Sequence, residues 1–126
     1  MKRILFLLIV LFATGMVSAQ QREASITVVG DAVHDFGDIK ESDGAVSHSF
    51  TVLNNGELPL VISRVIGSCG CTTPEWTKEP IKPGKTGKVV ATFDPKNRPG
   101  PFNKNVQIAT SAHSEKIIVR IIGTVE

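Results

Sequence analysis

Apolar residues in this chain recur at every second position, in short runs cut by glycine, proline and asparagine. Val46, His48, Phe50 and Val52 would share one face of an extended segment, with Ser47, Ser49 and Thr51 on the other. That period marks a half-buried strand, because successive side chains along a strand point to opposite faces. Leu58, Leu60 and Ile62 alternate in the same way. Runs at Ser25 to Val29, His34 to Ile39, Lys88 to Phe93, Asn105 to Thr110 and Lys116 to Ile122 bring the strand candidates to seven. Beyond residue 19 no segment shows the three-and-four spacing of a helix.

Seven short strands in about 100 residues, with turn signals between them, predict an all-β fold: an antiparallel immunoglobulin-like β-sandwich. Asn54-Asn55-Gly56 lies between two alternating runs and predicts a hairpin there. Ile117 to Ile122 is apolar on both sides except for Arg120, which predicts a central strand. An antibody-type pin between the sheets is excluded, because the two cysteines are separated by one residue. A chain without tyrosine also has no tyrosine corner. Packing alone must therefore hold the core, with Phe36, Phe50, Phe93 and Phe102 as its large members.

Residues 1–19 read as a secretory signal peptide. Lys2 and Arg3 form a basic start, Ile4 to Phe12 is an apolar run, and Val17-Ser18-Ala19 supplies small residues before Gln20. The run is short for a membrane span, which needs about 20 apolar residues, so no membrane anchor is expected after cleavage. Residues 20–126 are then one exported domain, expected in the periplasm, with the extracellular space or outer surface as alternatives. Losing Lys2 and Arg3 leaves twelve basic residues against twelve acidic ones, a formally neutral chain. A nucleic-acid partner would need a marked positive excess, so none is expected.

The neutral total hides an asymmetry. Glu23 to Glu57 holds seven acidic residues against Lys40, while Lys78 to Lys104 holds seven basic residues against Glu79 and Asp94. Side-by-side pairing across a sheet is the ordinary reading, and head-to-tail association or a basic face for an acidic partner is the sharper one.

Enzyme signatures are weak. Gly84-Lys85-Thr86 resembles the end of a phosphate-binding loop, but Glu79 stands where the first glycine belongs and a strand follows, so it reads as a turn. His34, beside Asp35, and the separate His48 and His113 make no recognisable triad, and no Gly-x-Ser-x-Gly elbow is present. We expect no enzyme, no catalytic residues and no cofactor. Trp76, Lys96 and Arg98 are the partner-binding candidates: Trp76 in the proline-rich stretch from Thr72 to Gly87, read as a loop, and the two cations in a basic turn from Asp94 to Lys104.

Cys69-Gly70-Cys71 is the one stretch that suggests chemistry. Residues i and i+2 of a strand lie about 6.5 to 7 Å apart, whereas a disulfide needs Cβ atoms about 3.5 to 4.5 Å apart. A bond between them therefore requires the backbone to turn, which Gly70 would permit through positive φ. Four states are open: a small reducible ring, two free thiols, a soft-metal site for Cu(I) or Zn(II), or bonding to another chain. Cys69 and Cys71 are thus redox, disulfide or metal candidates.

His34-Asp35-Phe36-Gly37-Asp38-Ile39, Ser49-Phe50, Asn54-Asn55-Gly56, Ser68-Cys69-Gly70-Cys71-Thr72, Pro83-Gly84-Lys85 and Phe93-Asp94-Pro95 occur in order. Together they resemble a family of short exported bacterial proteins, common in Bacteroidetes, catalogued as a domain of unknown function. The resemblance implies an immunoglobulin-like sandwich similar to the Hydin and major sperm protein group, whose members are mostly interaction modules. It gives the Cys-Gly-Cys no role. The expected function is an exported, non-enzymatic module that binds another exported protein or a surface assembly. The alternative is a periplasmic thiol-redox or soft-metal protein acting through Cys69 and Cys71.

Overall fold

The computed structural model describes residues 22–70, 72–112 and 116–126. The expected signal peptide, Cys71 and His113 lie outside them. Eight strands follow in order: β1 (Ile26–Val29), β2 (Val33–Ile39), β3 (Val46–Asn54), β4 (Ile62–Gly67), β5 (Thr72–Trp76), β6 (Thr86–Phe93), β7 (Gly100–Thr110) and β8 (Ile117–Val125). A short 3-10 turn, Glu41–Asp43, links β2 to β3.

The strands form two four-stranded sheets, ordered β1-β3-β6-β5 and β2-β8-β7-β4. In immunoglobulin lettering the first is A-B-E-D, and β4, β7 and β8 are C, F and G of the second. The all-β sandwich expected from the alternation is therefore present. It differs by one strand, one direction and one placement, since the run from Leu58 to Ile62 is not a strand and β4 starts only at Ile62. After Val29 the chain turns at Gly30, whose φ is 82°, and crosses to the other sheet, where β2 pairs with β8 in parallel. The second sheet is thus mixed. β8 is central, as expected, between β2 and β7, but only one of its faces is buried: Val119 and Ile121 point inward, while Ile118 is 51% exposed.

The predicted Asn-Gly hairpin does not form. β3 and β4 belong to different sheets, and Leu60 makes only an isolated bridge to Ile81. The reason lies in Asn54, whose side chain is fully buried. Its Nδ2 donates to the carbonyls of Leu58 at 2.7 Å and Ile81 at 2.9 Å, and its Oδ1 accepts from the Gly56 N–H at 3.0 Å. A side chain that satisfies three backbone groups stabilises a wide crossover where a two-residue turn would close a hairpin.

Another expectation fails at Thr72–Trp76, read as the start of the proline-rich loop to Gly87 but forming edge strand β5. Proline lacks an N–H, which an edge strand tolerates on its unpaired side, and Pro74 sits there. Both edges of the second sheet are blunted as well. A bulge interrupts β2, where Gly37 has φ 69° and its N–H is held by Asp35 Oδ1 at 2.8 Å, and a second bulge interrupts β4 between Ile62 and Arg64. Such features oppose edge-to-edge pairing with other chains.

The core lies between the sheets, and its aromatic centre joins them. Phe93 of β6 stacks on Phe102 of β7, with centroids 4.1 Å apart and planes 17° apart, and Phe36 packs at the border. Burial of each such ring stabilises by about 1.5–3 kcal/mol. The acidic and basic stretches do lie side by side, as β3 against β6, but in that ladder Lys88 faces Thr51, so no cross-strand ion pair forms there.

Candidate functional site

The chain passes from β4 in one sheet to β5 in the other through Ser68 to Cys71. The Ser68 N–H donates to the carbonyl of Asn105 at 3.0 Å, and the Thr72 N–H donates to the carbonyl of Cys69 at 3.2 Å. Cys69 is half-buried against the core and is disulfide-bonded, with its Sγ 3.9 Å from Thr72 Oγ1. The chain's only other cysteine is Cys71.

The corner is tight on one side and open on the other. A Cβ at Gly67 would lie 2.9 Å from the Thr72 carbonyl oxygen and 3.0 Å from Thr72 Cβ. Glycine is required there by close approach. Gly70 has open space around it and does not adopt positive φ, contrary to the role the spacing suggested. The hydrogen bond from the Thr72 N–H to the Cys69 carbonyl spans the reversal.

Register places this corner beside the basic loop. Thr72, which ends the corner, pairs with Phe93, the residue before Asp94. The loop is shorter than expected, because β7 begins at Gly100 and takes Phe102 and Lys104 into the ladder. It is anchored from within: Pro95 is fully buried, the Lys96 N–H donates to Asp94 Oδ1 at 3.0 Å, and the Arg98 N–H donates to the Pro95 carbonyl at 3.1 Å. Asn97, at φ 59°, donates its N–H to Glu41 Oε1 at 2.6 Å and so ties the loop to the 3-10 turn. Lys96 and Arg98 remain exposed.

Trp76 lies apart from that end. It closes β5, packs half-buried against the core, and carries Lys78 Nζ 3.0 Å above its ring centroid. The three partner-binding candidates therefore do not form one cluster: Lys96 and Arg98 share a loop, while Trp76 is at the far end of β5.

A grouping that the linear sequence did not suggest brings His34 of β2 and His48 of β3 together across the seam between the sheets. The rings stack in parallel, 3.7 Å apart. The signal was available, since both residues occupy inward positions of alternating runs, but nothing local pairs β2 with the upper half of β3. Burial, followed by the neighbouring His34, lowers the His48 pKa below its ordinary 6.5. A cavity of about 320 Å³ beside the pair is bordered by Val29, Asp31 and Ser49. Parallel rings do not aim their in-plane lone pairs at one point, as a shared metal would require, and among the described residues no three potential ligands converge.

Comparison with known proteins bears on fold and family. A Porphyromonas gingivalis protein of unknown function superposes with a TM-score of 0.69 at 13% identity, covering 87% of this chain and 51% of that one. The VesB protease of Vibrio cholerae gives 0.63 at 19% identity over 81% of this chain and 32% of the protease, and the YadV chaperone 0.54 at 10% over 80% and 52%. This chain thus spans about half or less of those proteins, and such identities speak for shared architecture alone. No curated protein matches by sequence. Residues 26–125, nearly the whole sandwich, match the family described as "Protein of unknown function (DUF1573)", and the chain belongs to that family.

Proposed function

We propose that the protein is an exported, non-enzymatic immunoglobulin-like module, similar to the Hydin and major sperm protein group, that binds another exported protein or a surface assembly in the periplasm. The observation that carries this reading is the loop from Asp94 to Pro99. Buried Pro95 and the Asn97–Glu41 hydrogen bond hold it in one conformation while Lys96 and Arg98 stay in solvent. A pre-ordered loop loses little entropy on binding, which favours recognition. Loops at sandwich ends are the usual carriers of such contacts. A photo-crosslinking residue at Lys96 or Arg98, compared in cells with one at exposed Thr27, should capture a defined protein from the loop only. Equal labelling from both sites would refute the reading.

A second reading is favoured by the disulfide at Cys69. Here Cys69 and Cys71 would accept two electrons and two protons from a partner dithiol, leaving two thiols on this chain and a disulfide on the partner. Reduced, the pair would offer two thiolates to Cu(I) or Zn(II). Intact mass with and without alkylation, after equilibration in thiol buffers, separates the two. A corner that stays oxidised across the cellular thiol range and takes up no metal when reduced leaves the interaction reading alone.

A further inference from the structure

The outer face of the second sheet is basic at one end and acidic at the other, with exposed Ile66, Ile118 and Val33 between them beside Gln107 and Arg120. At one end, the bulge in β4 lets Ser63 and Arg64 both face outward between buried Ile62 and Val65. Arg64 lies opposite Ala109, and Lys116 stands just before β8. A shallow depression of about 220 Å³ lies between these two cations and Ile66. Bulges commonly re-aim side chains at functional surfaces.

The middle of the face follows from register. Ile66 faces Gln107, which faces Ile118, and one row further along Arg120 faces Val33. Ile66, Ile118 and Val33 are 41%, 51% and 45% exposed, and they are three of the six exposed large hydrophobic residues among those described. Asp35 opposite Ile122 and Asp38 opposite Thr124, both exposed, make the other end acidic. About six residues of strand, roughly 20 Å, separate the basic end from Asp35.

We propose that this face binds a second copy of the chain in a two-fold, self-complementary dimer. A two-fold axis lying in the interface, crossing the strands between Ile118 and Arg120, sets the basic end of each copy against the acidic end of the other. The same operation brings the exposed Ile118 and Val33 of the two copies together, while each Arg120 stays tied to Asn105 Oδ1 of its own chain. An acidic partner would be matched by a face of one sign, whereas a face with opposite signs at its two ends is matched by its own copy. Both edges of this sheet, β2 and β4, are bulged, which disfavours its association through added strands and favours its face as the route. The face is at the small end for a stable interface, so the dimer is weak and reversible. It uses neither the loop at Lys96 and Arg98 nor the cysteine corner, and it stands or falls independently of them.

Sedimentation of the purified protein from micromolar to millimolar concentration tests it. A monomer–dimer equilibrium should appear and weaken about tenfold or more when salt rises from about 50 to about 500 mM. Arg64→Glu or Asp38→Lys alone should weaken it at least tenfold, and both changes in one chain should restore it, because the swapped charges meet again. Ile118→Asp should abolish it without changing the circular dichroism spectrum. A monomer throughout the range, a dimer indifferent to Ile118→Asp, or no recovery in the double variant overturns the proposal.

Discussion

His34 and His48 stack face to face with ring centroids 3.7 Å apart and planes 6° from parallel, one ring from each sheet. Each is braced edge-on by a phenylalanine two residues along its own strand, Phe36 at 4.6 Å and Phe50 at 4.7 Å. A neutral His48 ring suits this column, since burial and then the neighbouring His34 disfavour its charged form.

The pH dependence follows. Because the His48 pKa is lowered on folding, the unfolded chain binds that proton more tightly near the ordinary value of 6.5. The effect is absent above about pH 6.5 and destabilises progressively as pH falls through the folded value. His48→Phe, which keeps a flat ring, should unfold in urea with a smaller loss of midpoint between about pH 7.5 and pH 5 than the parent. A larger loss in the variant would reverse the assigned sign.

Asn54→Ala should cost about 2–3 kcal/mol, because it leaves the Leu58 carbonyl and the Gly56 N–H without their partner inside the protein. Asn54→Asp should cost more, since a buried carboxylate would then face two carbonyl oxygens. Urea denaturation measures both. A loss under about 0.5 kcal/mol for the alanine would mean the crossover does not depend on this side chain.

At the cysteine corner the two flanking glycines should behave differently. Gly67→Ala should destabilise by about 1–3 kcal/mol, because its methyl would press on the Thr72 backbone. Gly70→Ala, with open space and no positive φ, should stay within about 0.5 kcal/mol. Thermal midpoints in which Gly70→Ala is the more damaging would contradict this geometry.

Gly123 is packed in the same sense. A Cβ there would lie 2.7 Å from Phe102 Cζ and 2.9 Å from the Gly37 carbonyl oxygen, so Gly123→Ala displaces a core ring that is stacked on Phe93. A cost of about 1–3 kcal/mol is expected. Trimming the ring in Phe102→Leu should relieve the clash, so the two changes together should cost less than their sum in a double-mutant cycle. Strict additivity would count against the contact.

The period-two alternation was enough to fix the class of fold, because a strand that buries one face must alternate and a helix cannot. It also named the core phenylalanines, and Phe50, Phe93 and Phe102 are buried, with Phe36 at the rim. It misread Thr72–Trp76, where prolines signalled loop but the chain needed an edge, and it took Asn54-Asn55-Gly56 for a hairpin. In both cases the deciding interaction is distant in sequence: Pro74 faces Ala91, and Asn54 reaches the Ile81 carbonyl.

The candidate sites divide in the same way. From composition and spacing alone, Cys69 and Cys71 stood out, the basic loop was visible, and a disulfide pin between sheets was excluded, because these follow from residue type and separation along the chain. Only the tertiary structure placed the cysteine corner beside Asp94, separated Trp76 from Lys96 and Arg98, stacked His34 on His48, and gathered Arg64, Ile118 and Asp38 on one face. Those neighbours are set by strand register and by which sheet each strand joins. Both depend on contacts between residues far apart in the chain, and a local pattern of side chains does not encode them.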